Sequence, residues 1–187
     1  VLHNRPFVGY ILQLGFAQGI LFGNIASSPF IVQEHYGFSA FGFSLCFAAN
    51  SLAIMSAAAL AVRFRRQERA TLLGCRGMLL FSLATAAALA CHCGFWLYEM
   101  LVFALLFSMG ITFPATTTLA MDCTREHAGT ASALLGAVCF AFGGLVSPLV
   151  GMGDTLLSTG TVFVVCAVGS WLAFRSALHH RNRLAVA

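Results

Sequence analysis

Charge is scarce in this sequence, and one charged residue type is missing altogether. Charged residues make up 9% of the 187 positions, and all ten basic residues are arginine, so the chain contains no lysine. Soluble domains carry about 25% charged residues. Because 59% of the residues are hydrophobic, a soluble fold of this size could not hide them all. We therefore expect an integral membrane protein in a lipid bilayer rather than a soluble helical bundle.

Motifs that indicate catalysis are also missing. The sequence contains no HExxH, GxSxG or GxxxxGK[ST] motif, and no GxGxxG after a strand. It offers neither a Ser/His pair nor paired aspartates at membrane depth for intramembrane proteolysis. We therefore expect no enzyme and no cofactor. The net charge of +4 does not indicate a nucleic-acid partner, because the arginines lie at the ends of apolar runs and no basic face alternates with aromatics.

Cysteine and histidine come together at one place, Cys91-His92-Cys93. Such a cluster is compatible with a metal or redox site, or simply with small residues at the end of a helix. A zinc site needs a second ligand pair at a suitable spacing. The sequence has none, so we expect no metal.

Six segments reach the length of about 20 mostly apolar residues that a spanning helix needs. We expect helices over residues 6–33, 40–62, 71–91, 95–121, 128–151 and 159–178. They would form a single all-α transmembrane domain over residues 1–187.

The arginines predict how these helices cross the membrane. A guanidinium in hydrocarbon costs roughly 2.5–3.5 kcal/mol on insertion scales. The loop between the second and third helices should therefore stay in the cytoplasm, held there by Arg63, Arg65, Arg66 and Arg69. With six crossings, no arginine falls in an outer loop. We expect both termini in the cytoplasm and a location in the inner (plasma) membrane of a bacterium.

Uncharged polar residues recur within the first, second and fourth helices. A helix that faced only lipid would not carry them, because they need partners in a protein interior or a wet cavity. Our candidates for a substrate cavity are Gln18, Asn24, Ser27, Phe30, Asn50, Thr116 and Thr117. Helix kinks are expected at Pro29, Pro114 and Pro148. These features fit a wall that binds a drug-like aromatic solute, and they fit helix–helix contacts with ordinary kinks equally well.

Two further features have alternative interpretations. Glu99, about one turn into the fourth helix, is either a protonatable or cation-attracting site, or an interfacial carboxylate that reaches water beside Trp96 and Tyr98. Small residues on the fifth helix indicate close helix packing, or a sliding interface. The packing candidates are Gly129, Ala133, Gly136 and Gly144.

Taken together, three stretches resemble the C-terminal half of a major facilitator transporter, and most closely the Bcr/CflA-type group of multidrug efflux proteins. FGNIASSPF at 22–30 is similar to that group's YIxxSPF in its seventh helix. GITFP at 110–114 with AGTASALLG at 128–136 resembles its tenth and eleventh helices. The arginine loop lies where the superfamily has the second copy of its basic inter-helix loop.

The resemblance implies a fold and a function. The six helices would be the family's helices seven to twelve, built as 3+3 inverted repeats. They would export amphipathic drugs in exchange for protons, and so confer antibiotic resistance, by rocking against an N-terminal six-helix half or another copy. That half usually supplies the proton-carrying carboxylate. The alternatives are a non-transporting remnant or scaffold, and an uptake carrier of the same superfamily. We also expect the chain to be part of a longer protein.

Overall fold

The computed structural model describes the backbone of residues 4–186 and the side chains of residues 4–181. Within these residues every regular element is helical, and six helices are long and apolar enough to cross a bilayer. They are α1 (Arg5–Pro29), α2 (Ala40–Ala61), α3 (Gln67–Ala90), α4 (Phe95–Asp122), α5 (Ala128–Val150) and α6 (Thr155–Val186). The predicted fold class, an all-α membrane protein with six transmembrane helices, is confirmed.

Polar caps determine where the first two helices begin. The Asn4 side chain accepts a hydrogen bond from the N–H of Phe7 at 3.3 Å, and Pro6 occupies the first turn of α1. The hydroxyl of Ser39 accepts one from the N–H of Gly42 at 3.2 Å at the start of α2. The first turn of a helix has no carbonyl partners for its N–H groups, so these caps stabilise both starts.

The hydrogen-bonding pattern of the first helix changes at Pro29. A π-helical segment, Phe30–His35, follows α1 directly, and the Tyr36 N–H donates to the carbonyl of Ile31 at 3.0 Å. Proline has no N–H, so the carbonyl one turn earlier loses its donor. The other two candidate kink residues, Pro114 and Pro148, lie inside α4 and α5.

The α-helical part of the first span ends at Pro29 rather than at residue 33, whereas the start of α3 and both ends of α6 extend beyond the sequence-based boundaries. Helix α3 begins at Gln67 rather than at residue 71, and α6 runs over Thr155–Val186 rather than 159–178. Hydropathy marks where a chain leaves hydrocarbon, whereas a helix continues through the headgroups wherever its backbone bonds are satisfied. The Asp154 carboxylate accepts from the N–H of Leu156 at 2.8 Å and so caps α6 earlier than predicted.

The helices pack in a pattern that repeats between the two halves of the chain. Helix α1 packs against α5 and α6, as α4 packs against α2 and α3; α1 also contacts α4, and α3 contacts α6. Exchanging the first three helices with the last three leaves this pattern unchanged. Because α1 and α4 cross in opposite directions, the arrangement matches an inverted repeat of three helices.

Two helices, α2 and α5, have few neighbours within the described chain. Residues buried inside the chain make up 67% of the most apolar stretch of α1, but only 17% of that of α2 and 22% of that of α5. In lipid this exposure carries no hydrophobic penalty. It leaves these two helices free to contact lipid or another protein.

Candidate functional site

We name the two ends of the bundle by their residues. The arginine end carries the turn between α2 and α3, and the opposite end carries the π-helical segment. Arg63, Arg65 and Arg66 lie in that turn and Arg69 in the first turn of α3, and all four side chains are exposed. Exposed guanidinium groups at one end of a spanning bundle are typical of membrane-surface anchors.

Three polar side chains are buried together in the last turns of α1. The Ser28 hydroxyl donates to Asn24 Oδ1 at 3.1 Å, and the Ser27 hydroxyl lies 3.5 Å from the Asn24 carbonyl. All three side chains are at least 94% buried. These hydrogen bonds use the amide oxygen of Asn24 but not its Nδ2 group. The N–H donors of Asn24 are therefore available to a ligand or water.

Phe30, by contrast, is half-exposed and lines a cavity of about 260 Å³. The cavity lies between the end of α1 and the facing ends of α5 and α6, where Ser147, Val150 and Thr155 complete its wall. A phenyl ring beside two hydroxyl groups offers both apolar and hydrogen-bonding contacts. Small-molecule sites commonly combine the two.

Asn50 on α2 pairs with Glu99 on α4. Asn50 Nδ2 donates to Glu99 Oε1 at 2.9 Å, and Asn50 is 94% buried. The Oδ1 atom of Asn50 has no hydrogen-bond partner among residues 4–181. Glu99 therefore points into the contact between two helices, and does not simply reach water beside Trp96. The pair presents two oxygen acceptors to any proton or cation that reaches it.

The other cavity candidates lie apart from this pair. The hydroxyl groups of Thr116 and Thr71 are 3.2 Å apart in the buried contact between α4 and α3. Thr117 is half-buried and donates to its own helix, to the carbonyl of Phe113 at 2.8 Å. Gln18 is half-buried on α1, and no side-chain hydrogen bond reaches it within residues 4–181.

The structure thus brings together only some of the seven candidates. Asn24, Ser27 and Phe30 are neighbours at the opposite end of α1. In the described part of the chain, no hydrogen bond connects them to Asn50 or to Thr116. A single site that used all seven would need a rearrangement of the helices, or surfaces from another six-helix unit.

A third buried amide, Gln13, was not among the seven cavity candidates. Its Nε2 donates to the Ser170 hydroxyl at 3.0 Å and lies 3.6 Å from Cys75 Sγ, so it connects α1, α6 and α3. Its Oε1 has no partner among the described side chains. Gln13 stood out as a polar residue in an apolar helix, but its partners lie 157 and 62 positions away in the sequence.

The small residues of α5 face away from the other helices. Gly129, Gly136 and Gly144 are so open that an added Cβ would meet no heavy atom within 4 Å, and Ala133 is exposed. By contrast, Gly143 lies against Phe22. Residues 4–181 therefore contain no packing partner for this small-residue face, and the predicted packing role remains a prediction about another molecule or segment.

The Cys-His-Cys turn has a structural contact at the opposite end of the bundle. The Tyr36 hydroxyl donates to the Cys93 carbonyl at 2.9 Å, and the Tyr36 ring packs edge-on against Phe95. Burial, together with the adjacent Cys93 thiol, raises the pKa of Tyr36 to about 12. Within residues 4–186, no group of three or more His, Cys, Asp or Glu side chains is placed to hold a metal ion.

Comparison with known proteins gives two matches. The sequence model of the Major Facilitator Superfamily matches residues 1–148. The protein named "Uncharacterized MFS-type transporter YdgK" of Bacillus subtilis (strain 168) is 35% identical over 178 residues. The match covers 93% of this chain and 44% of the relative, so the chain spans less than half the length of that protein.

Proposed function

Because this chain belongs to the Major Facilitator Superfamily of membrane transporters, we propose that it forms one six-helix half of a proton-coupled exporter of amphipathic, drug-like small molecules. The exporter would lie in a bacterial plasma membrane, with both termini of this chain in the cytoplasm. The likeness to the Bcr/CflA-type group supports this choice among the superfamily's many substrates.

The contact between Glu99 and Asn50 carries the proposal of proton coupling. A carboxyl group inside a spanning helix is costly and is a functional candidate by default. Here the carboxylate accepts from a buried amide of another helix at 2.9 Å. A proton that binds and leaves Glu99 would change the charge at the α2–α4 contact. Helix movement could then follow protonation.

The surroundings of Phe30 support an amphipathic aromatic substrate. The cavity beside this ring holds about 260 Å³, slightly below the range of about 300–1,000 Å³ that is common for ligand pockets. The hydroxyl groups of Ser147 and Thr155 add hydrogen-bonding groups to its wall. A second half would enlarge it and close its open side.

The small-residue face of α5, with the exposed side of α2, is the surface to which we assign the second half. The chain corresponds to 44% of its relative, and α2 and α5 are its least buried helices. Glycine and alanine allow helix backbones to approach closely in lipid. The partner would be an N-terminal six-helix half, with another copy of this chain as the alternative.

Drug susceptibility in an efflux-deficient bacterial host tests the proposed function. The chain would be expressed alone and together with the segment of the B. subtilis relative that lies outside the match. We expect co-expression to raise resistance to an amphipathic dye such as ethidium, and a protonophore to remove that gain.

The outcomes separate the alternatives. Resistance from the chain alone would indicate that the partner is a second copy of this chain and not an N-terminal half. Increased dye accumulation would favour an uptake carrier. No change with either expression, although both segments are present in the membrane, would favour the non-transporting remnant and contradict the proposal.

A substitution on α5 tests the assigned interface. Gly136→Leu should leave the fold of this chain intact, because no heavy atom lies within 4 Å of an added Cβ. The larger side chain should, however, separate the two halves. We expect co-purification of a tagged N-terminal half to fall on the order of tenfold. Ala87→Leu, at an exposed position of α3, is the matched control. Equal recovery of the partner with both variants would rule out this face as the interface.

A further inference from the structure

Two arginines lie within spanning helices rather than in the loop that anchors the arginine end. Hydropathy predicts that the hydrocarbon region begins at Thr71 on α3. Arg76 lies about 7–8 Å further along the helix, inside this region. Arg175 lies just inside the corresponding boundary on α6. Both side chains are exposed on the outside of the bundle. A guanidinium at the lipid-facing surface is unfavourable unless it reaches water or binds an anion.

The two arginines share one tryptophan. The guanidinium carbons of Arg76 and Arg175 each lie 5.9 Å from the centroid of the Trp171 ring. Contact with an aromatic ring orients a guanidinium but leaves its charge and most of its N–H donors unpaired. Two cations placed beside the same indole also repel each other. The arrangement therefore favours the binding of an anion that contacts both guanidinium groups.

These side chains line a groove between α3 and α6 of about 370 Å³. His179 lies at its arginine end, and Leu72, Phe174 and Leu178 form its apolar wall. No acidic residue lines it, and no carboxylate pairs with Arg76 or Arg175 among residues 4–181. The nearby basic and acidic pair, Arg181 and Glu68, is already joined in an ion pair. The groove therefore combines unpaired positive charge with an apolar wall.

We propose that this groove binds the headgroup of an anionic phospholipid from the leaflet at the arginine end. The phosphate accepts hydrogen bonds from both guanidinium groups, which suit a phosphate in geometry and charge. One acyl chain runs from there past Trp171 toward the middle of the bilayer. Basic pockets between spanning helices recognise lipid headgroups in this way. The site is separate from the small-residue face and independent of the transported substrate.

Trp171 makes the site measurable. The chain has two tryptophans, and the other one, Trp96, lies at the opposite end of the bundle, so Trp96→Phe leaves Trp171 as the single reporter. The full chain would be reconstituted into phosphatidylcholine vesicles. One set of vesicles would contain a small fraction of brominated phosphatidylglycerol, and a second set would contain the same fraction of brominated phosphatidylcholine. Bromine quenches tryptophan fluorescence on contact, so the ratio of quenching measures preference for the anionic lipid.

We expect the anionic lipid to associate with Trp171 on the order of tenfold more strongly than phosphatidylcholine. Arg76→Gln with Arg175→Gln should remove the preference while quenching by phosphatidylcholine stays unchanged, which also shows that the variant is inserted. Arg125→Gln, which removes an exposed arginine paired with Asp122 at 2.8 Å, should retain it. A reporter with Trp96 alone should show no preference.

Three results would overturn the proposal. The first is equal quenching by both lipids with the arginines intact, a result that does not depend on the folding of any arginine variant. The second is a preference that survives loss of both arginines. The third is loss of the preference on adding inorganic phosphate, since that would show a site for soluble anions rather than for lipid.

Discussion

Replacing Gly74 with leucine is expected to disrupt the packing of α3 against α4. A Cβ at this position would lie 2.8 Å from the Ser108 carbonyl oxygen and would overlap the hydroxyl of Thr112. The backbone atom cannot move without shifting α4. Overpacking of this kind costs about 1–3 kcal/mol, and we expect the upper part of that range because a helix backbone is involved.

The unfolding of this variant can be followed through a neighbouring cysteine. Cys75 is fully buried, so its thiol should react with a maleimide only when α3 separates from the bundle. We expect Gly74→Leu to increase the labelling rate in mild detergent by about a hundredfold, in line with a loss near 3 kcal/mol. Gly144→Leu, where an added side chain meets nothing within 4 Å, should label at the wild-type rate. Equal rates for the two variants would contradict the described α3–α4 contact.

Replacing Glu99 with glutamine is expected to uncouple transport from the proton gradient. Glutamine keeps an oxygen that can accept from Asn50 Nδ2, so the α2–α4 contact should remain. It cannot bind and release a proton at neutral pH. We expect proton-driven dye export by the assembled transporter to fall on the order of tenfold or more, while dye binding persists.

The matched control is Glu34→Gln, which neutralises an exposed carboxylate in the π-helical segment. Export would be measured in everted membrane vesicles energised by an imposed pH gradient. Glu34→Gln should export at the wild-type rate. If Glu99→Gln kept both the wild-type rate and its dependence on the gradient, the coupling proton would have to bind elsewhere, such as in the N-terminal half.

The number and type of helices could be predicted because the membrane imposes them. Each span needs about 20 apolar residues, and the arginine loop at 63–69 separates two spans unmistakably. The ends of α6 could not be predicted in the same way. Its cap at Asp154 and its continuation past residue 178 depend on backbone hydrogen bonds, which hydropathy does not report.

Contacts between distant residues were harder to anticipate than helices. Asn50 and Glu99 are 49 positions apart, and they meet only because α2 packs on α4. The small residues of α5 illustrate another limit. Their spacing predicts one common face, yet a Cβ added at Gly136 or Gly144 would meet no heavy atom within 4 Å in the described chain. A sequence pattern can identify such a face without identifying what it packs against.

The direction in which the chain crosses the membrane is the premise shared by the exporter, the interface and the lipid site. Labelling with a membrane-impermeant maleimide in intact cells tests it directly. Cys91 is exposed in the turn between α3 and α4. Its labelling would be compared with that of Arg65→Cys in the α2–α3 turn, in two variants that each contain one cysteine. We predict that Cys91 reacts in intact cells, and that Arg65→Cys reacts only after permeabilisation. Labelling of Arg65→Cys from outside, with Cys91 protected until permeabilisation, would contradict the account.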